Sequence, residues 1–327
     1  MEEASSRRGA ERREEVIRGR FALAAAGGVL ALALSTQAAG AFCRTTTLPV
    51  IADFQPSETR CWDGGLPLFW RNACVGYDVQ RTASSQVALE TARSGMATAF
   101  AKWTAASCRV TPSGSSRVSI DIRDLGPVEC TEVSYNQNGP NQNLVVFRDE
   151  AWPHSDSNNT LALTTVSYNP DTGEIFDADM EINSHDQRIS IGDPVPKDGY
   201  DFASIVTHET GHFLGLAHSG NSRATMFANY TPGSSALRNL TADDVAGICT
   251  IYAPDSVRAA VGSAIKEAPQ CDPTPRRGLT SACEEPPVEK SCLGSSRVAG
   301  RAPVTPAWIV VGLALGAVLG LRRSRRV

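Results

Sequence analysis

One run of eleven residues, His208-Glu209-Thr210-Gly211-His212-Phe213-Leu214-Gly215-Leu216-Ala217-His218, constrains this chain more than any other stretch. Its pattern is H-E-x-x-H-x-x-G-x-x-H. On a helix, His208 and His212 stand one turn apart on the same face, so both can point a ring nitrogen at one ion. Gly215 can adopt positive φ, which ends the helix and turns the backbone back. That turn brings His218 to the same ion. Three imidazoles with a fourth position left to water form a catalytic zinc site, not a structural one. Glu209 is offset around the helix and can reach that water without ligating the metal. The chain has 5 His in 327 residues, so three in this spacing is a specific signal.

Charge separates the ends from the body. Residues 1–41 carry six Arg against five acids, and residues 292–327 carry six Arg and no acid. The body between them holds 19 basic and 30 acidic side chains, a net of -11. An acidic body argues against nucleic acid as a partner, which would need a basic patch. The 42% apolar content suffices for a packed core. No phosphate loop, dinucleotide fingerprint or internal repeat is present.

Both ends read as targeting segments. An Arg-rich stretch to Arg20, an apolar run Phe21–Leu34 and Ala39-Gly40-Ala41 before Phe42 predict a signal peptide over 1–41 and general secretion. Phe42 before Cys43 departs from a lipoprotein signal. At the far end, Ala307–Leu321 is uncharged for fifteen residues, eighteen from Val304, and Arg322-Arg323-Ser324-Arg325-Arg326 follows. The expectation over 304–327 is an apolar helix with a basic cytoplasmic end. With Cys292 and a short spacer it resembles C-terminal sorting tags of Gram-negative bacteria, the myxobacterial type most closely. Such a helix contacts the membrane or sorting machinery and anchors the chain transiently in the inner membrane; a plain tail anchor is the alternative. Setting Cys292 aside leaves eight cysteines, up to four disulfides in an oxidising compartment, with 105 pairings open. The protein is expected at the cell surface or outside the cell.

Along the body, 42–73 is an irregular Cys-containing segment, 74–255 a catalytic domain and 256–303 a Pro/Gly/Ser-rich linker. Strands are expected at Tyr77–Gln80, Arg117–Arg123, Leu144–Phe147, Leu161–Tyr168 and Ile175–Ile182, the last two joined by an Asn169–Gly173 turn. Helices are expected over Gln86–Ala105, from an Asp201 cap to Leu216, and from Thr241 to Tyr252.

The zinc run, then Ser219, then Met226-Phe227-Ala228-Asn229-Tyr230, resembles the metzincin metallopeptidases and specifically the matrixins, whose Met-turn reads M-x-P-x-Y. Leu240–Ile248 is similar to the start of that family's last helix, and Ala99–Trp103 to the end of its first. The resemblance covers roughly 70–255. It implies an α+β fold with a twisted, mixed five-stranded sheet, three helices and the zinc helix under the cleft. It implies a zinc endopeptidase that hydrolyses protein or peptide substrates with a zinc-bound water, Glu209 acting as general base and then acid. His208, His212 and His218 would be the ligands, Met226 the floor beneath them and Tyr230 a wall of the substrate pocket. The peptide would lie beside an edge strand. The alternative is an exported zinc-containing binding protein without turnover.

Three features depart from the family. Ala228 stands where the Met-turn has Pro. His154-Ser155-Asp156 imitates the first half of a second, structural zinc site, but Leu163, Thr164 and Phe176 stand near its later histidines. Arg60-Cys61 resembles the inhibitory cysteine, whereas Trp62-Asp63-Gly64 does not continue that motif, and a disulfide is expected for Cys61. Asp177, Asp179 and Glu181, with Asp193 and Asp198 nearby, suit calcium; a solvated strand face is the other reading.

Overall fold

The computed structural model describes residues 41–111, 114–260, 263–266, 271–278 and 308–312. Residues 1–40 of the expected leader lie outside that range, as do 304–307 and 313–327 of the tail. Cys74–Gln80 is the central strand β1, rich in residues that suit a pleated, two-sided core and buried along its whole length. Helix α1 (Leu89–Thr104) follows, burying Ala92, Met96, Ala99, Phe100 and Trp103 at helical spacing. Then come β2 (Asp121–Val128), β3 (Leu144–Phe147), β4 (Ala162–Tyr168) and β5 (Ile175–Ile182). Helices α2 (Phe202–Phe213) and α3 (Ala242–Ile251) complete the body, and β6 (Trp308–Gly312) joins from the tail.

The strands form one mixed sheet in the order β6-β4-β5-β3-β1-β2. β2, β1, β3 and β5 run parallel, whereas β4 pairs antiparallel with β5 through the turn at Gly173 (φ 78°). All three helices and one sheet face share a core that includes Val75, Tyr77, Val79, Val145, Phe147, Met180, Phe202, Phe213 and Ile248. This is an α+β fold. Leu68, Phe69 and Trp70 enter the same core, so the irregular segment before β1 is part of the body. Cys43–Arg44 also pairs with Leu216–Ala217 just after α2.

Four expectations need correction. The strand expected over Arg117–Arg123 begins only at Asp121, because Val118 and Ser119 give their amides to Ala106 and Tyr252 rather than to a strand. Val118 and Ile120 are nevertheless buried, which produced the alternation in the sequence. The start of the expected linker is structured: Val257–Ala260 pairs with Ser263–Lys266, and buried Arg258 donates to the carbonyls of Trp70, Asn72 and Ser119. Cys271 is tied to Cys74, holding 271–278 against the body. In the tail, Trp308–Gly312 is a strand and not helix; its Trp-Ile-Val-Val run has high strand propensity, and β4 presents a backbone edge to pair with. Among the described residues no helix is long and apolar enough to cross a membrane.

The acids of β5 are the fourth. Asp177, Asp179 and Glu181 are not a solvated face. They are buried: Asp179 accepts from the Leu144 amide, and Glu181 receives Arg148 and His154. Burial pushes the Asp179 carboxyl up to about 7 and Asp177 well above its ordinary range. Cys43–Cys61 and Cys108–Cys249 are disulfides, and Cys130 is disulfide-bonded as well.

Candidate metal centre and active site

Helix α2 is buried on nearly every side, so its placement is fixed by packing rather than by an amphipathic stripe. Asp201 caps it as expected, accepting from the Ser204 amide at 2.9 Å, and Arg238 grips the same carboxylate with two nitrogens. From α1, the Trp103 indole donates to the Thr207 carbonyl and to Thr210 Oγ1. Gly215, at φ 93°, ends the helix; a Cβ there would lie 2.8 Å from the Leu68 carbonyl oxygen. The chain then doubles back and delivers His218.

One ligand atom from each of His208, His212 and His218 lies within 4.8 Å of the others, and among the described residues no other group of three metal-ligating side chains does this. His208 Nδ1 is 2.7 Å from the Thr225 carbonyl and His212 Nδ1 is 2.8 Å from the Leu216 carbonyl. A carbonyl only accepts, so both protons sit on Nδ1 and both Nε2 atoms present bare lone pairs. Those two Nε2 atoms are 3.0 Å apart. Lone pairs that close repel unless a cation lies between them, and zinc ligands ~2.1 Å from a tetrahedral ion stand ~3.4 Å apart. The buried His218 Nε2 has no hydrogen-bond partner. The donor set therefore fits zinc.

Electrostatics agree. Burial, with the neighbouring rings adding to it, pushes His212 down to about 3 and His208 well below the usual imidazole range; burial alone pushes His218 down to about 4. All three are neutral, ligand-ready bases at neutral pH. Burial raises the Glu209 carboxyl to about 8, opposed by Thr164, whose Oγ1 donates to Glu209 Oε2 at 2.6 Å. Glu209 Oε1 is buried and has no partner.

The floor is built from α3. Asp244 accepts from the amides of Thr225, Met226 and Thr241, so the acid that caps α3 also holds the Met226 turn. The Ser219 amide donates to the Met226 carbonyl at 2.8 Å. Met226 is buried against Gly211, where an added Cβ would lie 2.3 Å from its sulfur. Tyr230 is also buried; its hydroxyl donates to the Ser204 carbonyl and its ring lies 5.6 Å from that of His208. All six site residues expected from sequence come together. Thr164, Gly211 and Asp244 were not foreseen as parts of the site. A glycine in mid-helix was the one signal available for them.

A matrixin family model matches residues 69–253, more than half of the chain. The chain belongs to the matrixin family. This matrixin is 33% identical to human matrilysin over 103 residues, 32% of this chain and 35% of that protein. It is 25% identical to matrix metalloproteinase-C of Caenorhabditis elegans over 249 residues, 74% of this chain and 37% of that one. Metalloendoproteinase 1-MMP of Arabidopsis thaliana is 44% identical over 55 residues, 17% and 15%. The chain thus spans well under half the length of these curated relatives. Departures from the family remain visible in the structure. His154 bonds Glu181 and His185 bonds Asp186, while Cys61 is consumed by its disulfide and is not an inhibitory thiol.

Proposed function

We propose that this matrixin is an exported zinc-dependent endopeptidase. The observation that carries the reading is a cluster of three imidazoles whose ligand atoms lie within 4.8 Å of one another, with Glu209 next to the first of them in the chain and its Oε1 buried without a partner. His208, His212 and His218 would hold the zinc. When bound, zinc supplies a Lewis acid that brings the pKa of a ligated water towards 7. Glu209 takes the proton from the attacking water at Oε1 and hands it to the leaving amine. Thr164 keeps Oε2 occupied and so fixes which oxygen does this. A neighbouring cation would draw the raised carboxyl back down, leaving it ionised as a base near neutral pH. Met226 and Gly211 set the depth at which the rings sit. Tyr230 is too buried to wall a pocket unaided, but its ring stacks edge-on to His208 and its anchored hydroxyl fixes that side of the cleft.

Peptides are the fitting substrates because the site adjoins β4, along which an extended chain can add as a strand. Disulfides at Cys43, Cys74 and Cys108 support an oxidising destination, and with it the leader over 1–41 and a tail that serves as a sorting tag.

The test is a casein digest with the zinc-loaded chain, with chelator, and with zinc restored. Glu209→Ala should keep stoichiometric zinc and lose hydrolysis by at least about a hundredfold. Undiminished cleavage in that variant would remove Glu209 from the chemistry. A zinc-loaded wild type inert on every peptide would instead favour a binding protein.

A further inference from the structure

Residues 74–182 supply five strands of the sheet, and the sixth comes from far along the chain. β6 runs antiparallel to β4, with Trp308 opposite Ser167, Val311 opposite Thr164 and Gly312 opposite Leu163. Without it, β4 would be the free edge of the sheet. Thr164 is the residue whose hydroxyl holds Glu209, so the tail backbone passes along the rim of the histidine site. This is the place, and the antiparallel pairing mode, open to any extended peptide that adds to β4.

We propose that Trp308–Gly312 is an intramolecular strand ligand of the cleft, which excludes peptide substrates until the tail is displaced or removed. The proposal rests on the peptidase reading only for what is excluded; the docking stands apart from it. Twenty-nine residues, 279–307, connect the last described residue of the body to β6. Being part of the same chain, the strand meets that edge at an effective concentration on the order of 1 mM. A five-residue strand with an intrinsic dissociation constant of about 0.1 mM would then fill the edge in roughly nine chains of ten. Because it competes with substrate, it raises the apparent KM about tenfold and leaves kcat alone. Loss of the tail, the fate expected of a sorting tag, would then also open the site.

The experiment uses the full chain with Val310→Pro and Val311→Pro together. Alternate strand residues aim their amides at the neighbour, so one of the two prolines must remove a donor facing β4. Relative to wild type, this variant should cleave a fluorogenic peptide with a KM about tenfold lower and an unchanged kcat. A labelled peptide of residues 304–315 should bind the proline variant carrying Glu209→Ala, and bind Glu209→Ala with the native tail about tenfold more weakly. Equal KM values and equal binding of the labelled peptide would overturn the proposal. So would an apparent KM that rises with enzyme concentration, which would put the strand in trans. If no form cleaves any peptide while the labelled peptide still distinguishes the two tails, the docking holds and the peptidase reading falls.

Discussion

Gly211 sits between His208 and His212 in the middle of α2, where intrinsic propensity and packing demand opposite residues. In an exposed helix, Gly→Ala would stabilise by about 1 kcal/mol. Here the new Cβ would lie 2.3 Å from Met226 Sδ, 3.1 Å from Met226 Cε and 2.9 Å from the Trp103 ring. Trp103 cannot give way, because its indole nitrogen is bonded to Thr207 and Thr210. Met226 is the flexible partner, but it is 1% exposed and enclosed by the core. Overpacking of this kind costs about 1–3 kcal/mol, and an overlap of more than about 1 Å belongs at the upper end. Subtracting the propensity gain leaves a net loss of about 2 kcal/mol for Gly211→Ala. For a body of this size that is a fall of about 4–8 °C in Tm, read by thermal unfolding of the metal-stripped chain. A cycle with Met226→Ala tests the cause. That change alone should cost about 2–5 kcal/mol, and up to about 3 kcal/mol less when Gly211→Ala is already in place. A Gly211→Ala protein that melts higher than wild type, or a cycle additive within about 0.5 kcal/mol, would refute the packing argument.

Both carboxylate oxygens of Asp78 are buried without partners, and burial, followed by the charge of Asp124, pushes the group up to about 7. Because the folded value exceeds the unfolded 3.8, the native state keeps a proton that the unfolded chain has lost, and stability falls as pH rises from about 4 to about 7. Asp78→Asn should therefore gain on wild type across that window, by at most about 4 kcal/mol, in urea titrations at about pH 4 and about pH 7.5; a pH-independent difference would exclude this origin. The Cys74–Cys271 bond closes a separation of 197 residues, so Cys271→Ser should cost about 3–5 kcal/mol in urea, and a loss under about 1 kcal/mol would show that 271–278 is held by its other contacts. The Phe42 amide donates to Asp243 Oδ1 at 2.8 Å. Cleavage between Ala41 and Phe42 would put an ammonium there, so a chain starting at Phe42 should be more stable than one starting at Ala41 by about 1–2 kcal/mol. Asp243→Asn should erase that difference, and a difference that survives it lies elsewhere.

What the sequence showed, and what it hid, follows from how far each interaction reaches. The histidine triad is local: helical spacing and one positive-φ glycine bring three imidazoles together within eleven residues. The β3 and β5 limits and the Asp201 cap were legible for the same reason, since apolar runs and caps are written over a few neighbours. Burial of Asp177, Asp179 and Glu181 was not. Alternating acids normally face water, and only the loops covering the outer sheet face, with Arg148 and His154 arriving from 27–33 residues away, make an inward face tolerable. Arg258 was read as linker because its partners, Trp70, Asn72 and Ser119, lie 139–188 residues back. The tail misled for a different reason. An apolar run such as Trp308–Gly312 suits a helix in lipid or a strand on an open edge, and composition does not choose between the two environments.

The start of α3 shows how a local signal can carry a distant consequence. Thr241-Ala242-Asp243-Asp244 reads as a capping box with acids in the first turn, and it is one. Yet each acid spends an oxygen elsewhere. Asp243 holds Ser219, the residue after the third histidine, together with the Phe42 amide. Asp244 holds the amides of Thr225 and Met226. Thr225 is bound at both ends, its amide by Asp244 and its carbonyl by His208 Nδ1. The carbonyl fixes the tautomer that leaves His208 Nε2 without a proton, so the orientation of a histidine in α2 is set through a single residue by the cap of α3. A helix-capping pair thereby becomes part of the histidine cluster's outer support, and the Asp244 carboxylate at the start of the last helix bears on how firmly the first histidine is aimed.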